Sequence, residues 1–404
     1  MQFFRPTIGD IIAGISVALL ALPQGLAYAE LAGLPAQHGL YAAALPSLLA
    51  AIFASSPYLQ TGPVALTALL TFGALQGIAE PQTSLYIELA ALLALLVGAI
   101  RLLLGITRMG WITNLLTDPV ILGFTSGAAI LIVFSQLPKT LGAETVNDGV
   151  LSSGWEALST PNLWSGSAML FSLGTIVVIF GGRYLHRLFP GVLMAVVLGI
   201  VISKAAGYTG QIVGGLEGGF ISFKFRFEWG SFVKLLLPAF VIAIVGFAEP
   251  AAIARTFSKE TTKTWNPNKE LVSQGVANLA AAVSSAFPVG GSFGRSALNK
   301  LAGASSPWAG AVTGAFVLAS LPFISLLEDL PSAILGATVI GAVIRLINIQ
   351  DLRKVLSTSK SEAFVAYGTL ASTLATSPRI ERGILIGLFL SLCNSYLRRR
   401  VKSS

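Results

Sequence analysis

Long apolar runs separated by short polar stretches make up this chain, and the lengths of those runs set the first expectation. A membrane-crossing helix needs about 20 mainly apolar residues. On that measure the pattern predicts fourteen segments. Seven fall near residues 10–30, 37–55, 61–79, 84–106, 118–137, 164–180 and 190–207. Seven more fall near 231–255, 269–287, 291–303, 307–325, 330–347, 361–376 and 380–397. A polar connector, 208–230, separates the halves 1–207 and 231–397, and a basic tail, 398–404, closes the chain. The predicted fold class is an all-α membrane protein.

Seven segments per half is an odd number. If the halves are repeats, they enter the membrane from opposite sides, which is the inverted-repeat plan of transporters. The third and tenth segments are broken at matching places, by Gln60-Thr61-Gly62-Pro63-Val64-Ala65 and by Pro288-Val289-Gly290-Gly291-Ser292-Phe293-Gly294-Arg295-Ser296. Gly and Pro there stop the backbone from crossing as one helix, so each segment reads as a short extended stretch followed by a half-helix. Pro63 suits the first turn of one half-helix, and Ser292 suits the N-cap of the other. With opposite orientations the two half-helix N-termini face each other. Each carries about half a positive charge and free N–H donors, which together form a pocket for an anion.

Composition narrows the class. The chain is 54% hydrophobic and 11% charged, whereas soluble domains carry roughly 25% charged residues. A single cysteine, Cys393, and two distant histidines, His38 and His186, exclude a disulfide framework and leave no basis for a metal centre. No cofactor is expected. The net charge of +8 does not predict a nucleic-acid partner, because the basic residues cluster in short loops between apolar runs. With the N-terminus in the cytoplasm, 18 of the 26 Lys and Arg residues, Arg101 among them, fall on the cytoplasmic side. Seven, including Lys139, fall outside, and Arg295 lies within the membrane. That bias predicts both termini in the cytoplasm. The first apolar run, 11–29, is too long for a signal-peptide core and contains Gln24.

Few polar groups lie inside the apolar segments. Arg295 at membrane depth costs about 2.5 kcal/mol or more. It reads either as a fixed positive charge for an anion or as half of a structural ion pair with Glu249. Glu249, in Phe247-Ala248-Glu249-Pro250, lies roughly 20 Å along the segment counted from Leu235. A carboxyl at that depth can exchange a proton and offset the charge of a dianion, or it can serve as a permanent counter-ion to Arg295 or Arg255. Gln24 and Tyr28 are four residues apart and share a helix face. Gln24 either donates to substrate or ties two helices together. Glu30 is expected at the wetted outer end. The run Gly123-Phe124-Thr125-Ser126-Gly127-Ala128 reads as close helix packing, and Asp118 and Asn278 receive no role.

LPQGLAYAELAGLPAQHGLYAAALPSLLAAIF, then TGPVALTAL, and later FAEPAAIARTFSK with NKELVSQGVANLAAAVSSAFPVGGSFGRSALN, resemble the SulP family of anion transporters over essentially the whole chain. That family includes sulfate and bicarbonate transporters, pendrin and prestin. The resemblance implies a core of segments 1–4 and 8–11 moving against a gate of segments 5–7 and 12–14, an elevator-type motion. It assigns the anion site to Gln24, Tyr28, Val64, Phe293, Gly294 and Arg295, and proton coupling to Glu249. With the flanking turns, the candidate substrate-binding set is Gln24, Tyr28, Thr61, Gly62, Val64, Ala65, Gly291, Ser292, Phe293, Gly294, Arg295 and Ser296. Gly294 stands where many members of the family have Ser. Most members continue into a cytoplasmic STAS domain, whereas this chain stops at Arg398-Arg399-Arg400-Val401-Lys402 and two further serines, as a truncated or a short member.

The expected function is proton-coupled symport of sulfate or a small dicarboxylate such as fumarate across a plasma membrane, the inner membrane of a bacterium. The expected partners are the anion, protons, the lipid bilayer and a second copy of the chain in a homodimer. Bicarbonate transport or anion exchange, an anion channel, a voltage-driven motor and a nucleobase carrier are the alternatives. A sodium site would require more oxygen ligands near Glu249. An enzyme is not expected, because no catalytic His, Cys or paired-carboxylate cluster stands out.

Overall fold

The computed structural model describes residues 6–115, 117–147, 149–186, 188–216, 218–223, 225–259 and 265–403. Arg5, Arg187, Lys224 and Lys263, which entered the charge count, and Ser404 of the tail lie outside the described residues. The first half contains α1 (Ile8–Leu31), α2 (Gln37–Phe53), β1 (Thr61–Gly62), α3 (Ala65–Leu75), α4 (Ser84–Ile106), α5 (Asp118–Leu141), α6 (Val150–Ser159), α7 (Gly166–Leu185) and α8 (Gly191–Ala206). The second contains α9 (Phe232–Lys259), α10 (Pro267–Val283), β2 (Gly290–Gly291), α11 (Phe293–Leu301), α12 (Trp308–Ser320), α13 (Ser332–Val343), α14 (Ile349–Thr358), α15 (Lys360–Ala375) and α16 (Ile380–Ser403).

Six helical stretches among the described residues are long and apolar enough to cross a membrane alone. They run over Ile8–Leu31, Ser84–Ile106, Asp118–Leu141, Trp229–Lys259, Trp308–Leu327 and Ser332–Thr358. The short extended stretches expected at the two breaks are present, and they pair as two-residue strands, β1 antiparallel with β2. Two helices fall outside the expected segments. α6 and α14 have 10 residues each, about 15 Å of helix, so a search for 20-residue apolar runs passes over them. α14 buries Leu352 and exposes Arg353 and Lys354, the pattern of a helix lying along a surface rather than crossing one.

The helices pack as two groups. In one, α4 lies along α10 and α2 along α12, with α1 against α12 and α9 against α4. In the other, α5 lies along α15, α7 along α13, α15 along α16 and α7 along α8. Contacts between the groups are sparser and involve mainly α1 and α3 on one side and α5, α8, α13 and α16 on the other. Small residues permit the closest crossings. A Cβ on Gly98 of α4 would stand 2.8 Å from the Leu279 nitrogen, and one on Gly275 of α10 would stand 2.7 Å from the Leu102 nitrogen. The Gly123–Ala128 run packs as expected: a Cβ on Gly127 would meet the Thr373 Cβ at 3.0 Å. Such contacts drive helix association where apolar burial alone cannot. The connector also links the halves, since Val213 and Gly214 donate backbone bonds to the Leu330 and Glu328 carbonyls, both at 2.9 Å.

The start of α1 is tied to the second half by one buried carboxylate. Thr7 and Asp10 form a capping box. Asp10 also accepts the Ser305 N–H at 2.8 Å, the Ser306 N–H at 2.9 Å and the Ser306 hydroxyl at 2.8 Å. Asp10→Ala leaves those donors unpaired, and a loss of about 2–4 kcal/mol is expected. The check is the melting temperature of the detergent-purified protein, which should fall by several degrees; an unchanged value would contradict the assignment.

Candidate functional site

The two breaks meet in the interior. Thr61 pairs with Gly291 and Gly62 with Gly290, and the Ser292 N–H extends the ladder to the Gln60 carbonyl at 3.0 Å. Because the pairing is antiparallel, the chain leaves the ladder toward α3 at one end and toward α11 at the other. The two helix N-termini therefore face each other across it. At 11 and 9 residues, α3 and α11 are about 16 and 13 Å long, too short to cross a bilayer. Ser292 is the N-cap of α11, its hydroxyl accepting the Arg295 N–H at 3.4 Å. Pro63 departs from expectation. α3 begins only at Ala65 with Val64 as its N-cap, so Pro63 precedes the helix and presents a carbonyl instead of filling the first turn.

That carbonyl holds Arg295. Its Nη1 donates to Pro63 O at 2.7 Å, while Nη2 is buried with no hydrogen-bond partner among the described residues. The residue is 1% exposed. Gly62 has φ +150°, a conformation that favours glycine, and a Cβ there would stand 3.3 Å from that Nη2 and from the Ser47 Oγ. No carboxylate oxygen comes within 4.0 Å of the Arg295 guanidinium among the described residues. The ion pair with Glu249 is thus not formed here. The partly buried Glu249 instead accepts the Phe293 N–H at 3.3 Å.

The remaining candidates divide by what already occupies their polar groups. Gln24 and Tyr28 are buried on α1, and Gln24 Oε1 has no partner among the described residues. Tyr28 lies within electrostatic range of both Arg295 and Glu249. Phe293 is 49% exposed and stacks on Phe257 with centroids 6.1 Å apart. A Cβ on Gly294 would meet nothing within 4 Å, so position 294 faces open space. Val64 and Ala65 are buried at the start of α3. Thr61 and Ser296, by contrast, serve the scaffold. The Thr61 hydroxyl accepts from Gln274 Nε2 at 2.7 Å, and the Ser296 hydroxyl accepts the Gln60 N–H at 2.9 Å. Gly291 is a packing position, where a Cβ would stand 2.7 Å from Leu59 Cδ1 and 3.1 Å from Pro250 Cγ.

Three groups were misread or missed in the sequence. Arg101, counted with the cytoplasmic cations, is 0% exposed on α4 and donates to three carbonyls. Its position only five residues before the end of an apolar run disguised it as an end signal. Asn278, assigned no role, accepts the Val289 N–H at 3.0 Å and donates to the Val289 carbonyl at 3.1 Å, fixing the approach to β2. Glu30, expected to wet at the outer end, forms a 2.6 Å ion pair with Lys139 of α5. An amide or a lone cation inside an apolar run was the available signal for the first two. The Glu30–Lys139 pair had none, because 109 residues separate the partners.

Residues 8–369 match the Sulfate permease family. The chain belongs to that family. Its members are transport proteins rather than enzymes, and with the long apolar helices this makes the chain an integral membrane protein. It is 34% identical over 396 residues to a chloroplastic sulfate transporter of Arabidopsis thaliana, covering 95% of this chain and 57% of that protein. It is 32% identical over 403 residues to a probable sulfate transporter of Mycobacterium tuberculosis, covering 97% of this chain and 70% of the relative. The chain thus spans less than three-fifths of the Arabidopsis relative. Among solved structures, murine Slc26a9 in an inward-facing state superposes with a TM-score of 0.88 at 22% identity, covering 98% of this chain and 70% of that one. The transmembrane domain of the cyanobacterial bicarbonate transporter BicA superposes with a TM-score of 0.79 at 23% identity, covering 95% and 96%. These likenesses establish the sulfate permease fold.

The open space at position 294 yields a test. Gly294→Ser should leave the stability of this permease within about 0.5 kcal/mol, as for a substitution that displaces no neighbour. Thermal unfolding in detergent measures it, and a drop of many degrees would show that position 294 is packed.

Proposed function

We propose that this permease is a secondary anion transporter whose cargo, sulfate or a small dicarboxylate, binds between the N-termini of α3 and α11. The observation that carries the reading is Arg295 Nη2, a buried guanidinium nitrogen without a partner among the described residues, beside two facing helix N-termini. Buried donors without acceptors are rare, and helix N-termini favour anions. The Gln24 amide, which would donate through Nε2, with Tyr28, the Phe293 ring and the open side of Gly294, completes the proposed pocket. Sulfate leads the panel because the curated relatives are named as sulfate transporters.

Fourteen membrane segments in a seven-plus-seven inverted repeat fit the same reading. Numbered that way, the packing of α4 on α10 is the counterpart of α12 on α2, α1 on α12 that of α9 on α4, and α5 on α15 that of α13 on α7. The antiparallel β1–β2 pair supports opposite orientations of the halves. The two packing groups correspond to a core and a gate, and their sparse mutual contacts suit an elevator-type displacement. Lys139 of α5 bonded to Glu30 of α1 joins gate to core on the proposed outer side, which supports a site closed to the outside and open to the cytoplasm. Both termini are then cytoplasmic.

Glu249 is the proposed proton site. It touches the first residue of α11 and feels the charge of Arg295, so its protonation cancels one negative charge of a bound dianion. Proteoliposome uptake of labelled sulfate, fumarate, bicarbonate and uracil, with and without a proton gradient, tests the proposal. Saturable uptake of a divalent anion driven by the gradient is expected. Uracil uptake, or flux that neither saturates nor responds to the gradient, would overturn it. Arg295→Ala should abolish anion binding in a purified-protein titration. Glu249→Gln should keep binding while removing the pH dependence of uptake, and an unchanged pH profile would remove Glu249 from the coupling step. Gln24→Ala should weaken apparent affinity about tenfold, the loss of one hydrogen bond to a charged partner, without lowering the melting temperature.

A further inference from the structure

A second arginine lies behind the crossing of the broken helices. Arg101 of α4 donates from Nε to the Ala243 carbonyl at 3.0 Å, from Nη2 to the Ile242 carbonyl at 3.0 Å and from Nη1 to the Val289 carbonyl at 2.9 Å. Two of these acceptors belong to α9, six and seven residues before Glu249. The third is the residue that enters β2. The side chain is wholly buried, and no carboxylate oxygen comes within 4.0 Å of it among the described residues. Carbonyl dipoles therefore solvate this cation, and its charge is not neutralised locally.

The neighbours locate it relative to the pocket. A Cβ on Gly246 would stand 2.7 Å from Arg101 Nη2 and 3.2 Å from Thr67 Cγ2 of α3. A Cβ on Gly290 would stand 3.4 Å from the Gly246 carbonyl and 3.2 Å from Val64 Cγ2. The guanidinium thus lies one backbone layer behind the β1–β2 ladder and the start of α3. Arg295 reaches Pro63 from α11. Burying an ionised group without a counter-charge is unfavourable, and a cation that persists there is stabilised by any anion that approaches.

We propose that Arg101 is a positioning residue for the anion site. Its fork ties α4, α9 and the entry to β2 together, and its uncompensated charge adds to that of Arg295 in the pocket. The proposal rests on the anion reading given above. A divalent anion gains twice as much from this charge as a monovalent one. At about two strand spacings, roughly 10 Å, and an effective dielectric of about 20, one charge changes a monovalent affinity roughly tenfold and a divalent affinity roughly a hundredfold.

The test uses the full chain purified in detergent, with sulfate and bicarbonate titrated into wild type, Arg101→Gln and Arg101→Lys. If wild type binds neither anion, the anion reading itself fails. If wild type binds, Arg101→Gln should lose roughly a hundredfold in sulfate affinity and roughly tenfold for bicarbonate. Equal losses for the two would reduce Arg101 to a structural strut, and no loss would overturn the proposal. Arg101→Lys carries the test if the glutamine variant does not fold. A buried lysine can shed its proton at alkaline pH, where arginine cannot. The Lys variant should bind sulfate within a few-fold of wild type at pH 7, and the ratio of its affinity to that of wild type should fall progressively toward pH 9.5, since the titration of Glu249 acts on both proteins alike. A ratio that stays constant from pH 7 to pH 9.5 would overturn the charge role.

Discussion

Non-helical backbone in a membrane interior must find every hydrogen-bond partner within the protein, and the arrangement around β1 and β2 follows from that requirement. Breaking two helices at one place frees two sets of N–H and C=O groups, and each set answers much of the other's need. The ladder pairs residues 61–62 with 290–291. Ser47 donates to the Thr61 carbonyl at 2.7 Å, Ser296 receives the Gln60 N–H, and Asn278 holds both backbone groups of Val289. The N-terminus of α11 is partly served within the chain, the Phe293 N–H by Glu249 and the Arg295 N–H by Ser292, while Arg295 Nη2 keeps no partner among the described residues.

Electrostatics extend the same logic. α3 and α11 bring their positive ends together, and Arg295 and Arg101 add two buried cations on either side of the ladder. Both guanidinium groups are held by backbone carbonyls, and among the described residues no carboxylate oxygen comes within 4.0 Å of either. Such a region is stable only because the carbonyls of Pro63, Ile242, Ala243 and Val289 solvate it. It is also poised to attract negative charge. Glu249 lies beside it at the start of α11, where it accepts the Phe293 N–H.

The surrounding helices pack closely on one side of this region and more lightly on the other. Close crossings through Gly98 and Gly275 hold α4 against α10, so Arg101 is carried on a closely packed pair. The face that α1 and α3 turn toward α5, α8, α13 and α16 is packed more lightly. One ion pair, Glu30 with Lys139, fastens that face at one end. Ion pairs and light packing can exchange for other contacts, whereas interlocked backbones cannot.

The sequence by itself determined the membrane class, the family, and the position and chemistry of the two breaks, because apolar run length and Gly-Pro interruptions are local properties. Ser292 as an N-cap was legible for the same reason, and Arg295 is indeed buried. The tertiary structure alone decided that the breaks pair as strands and that α3 starts two residues beyond Pro63. It also decided that Thr61 and Ser296 brace the scaffold instead of facing the pocket. Arg101 shows the difference most clearly. One cation near the end of an apolar run looks the same whether it meets water or three carbonyls, and those carbonyls lie 141, 142 and 188 residues away. Contacts at that separation leave no periodic or local trace, since they are set by which helices pack rather than by what each helix contains.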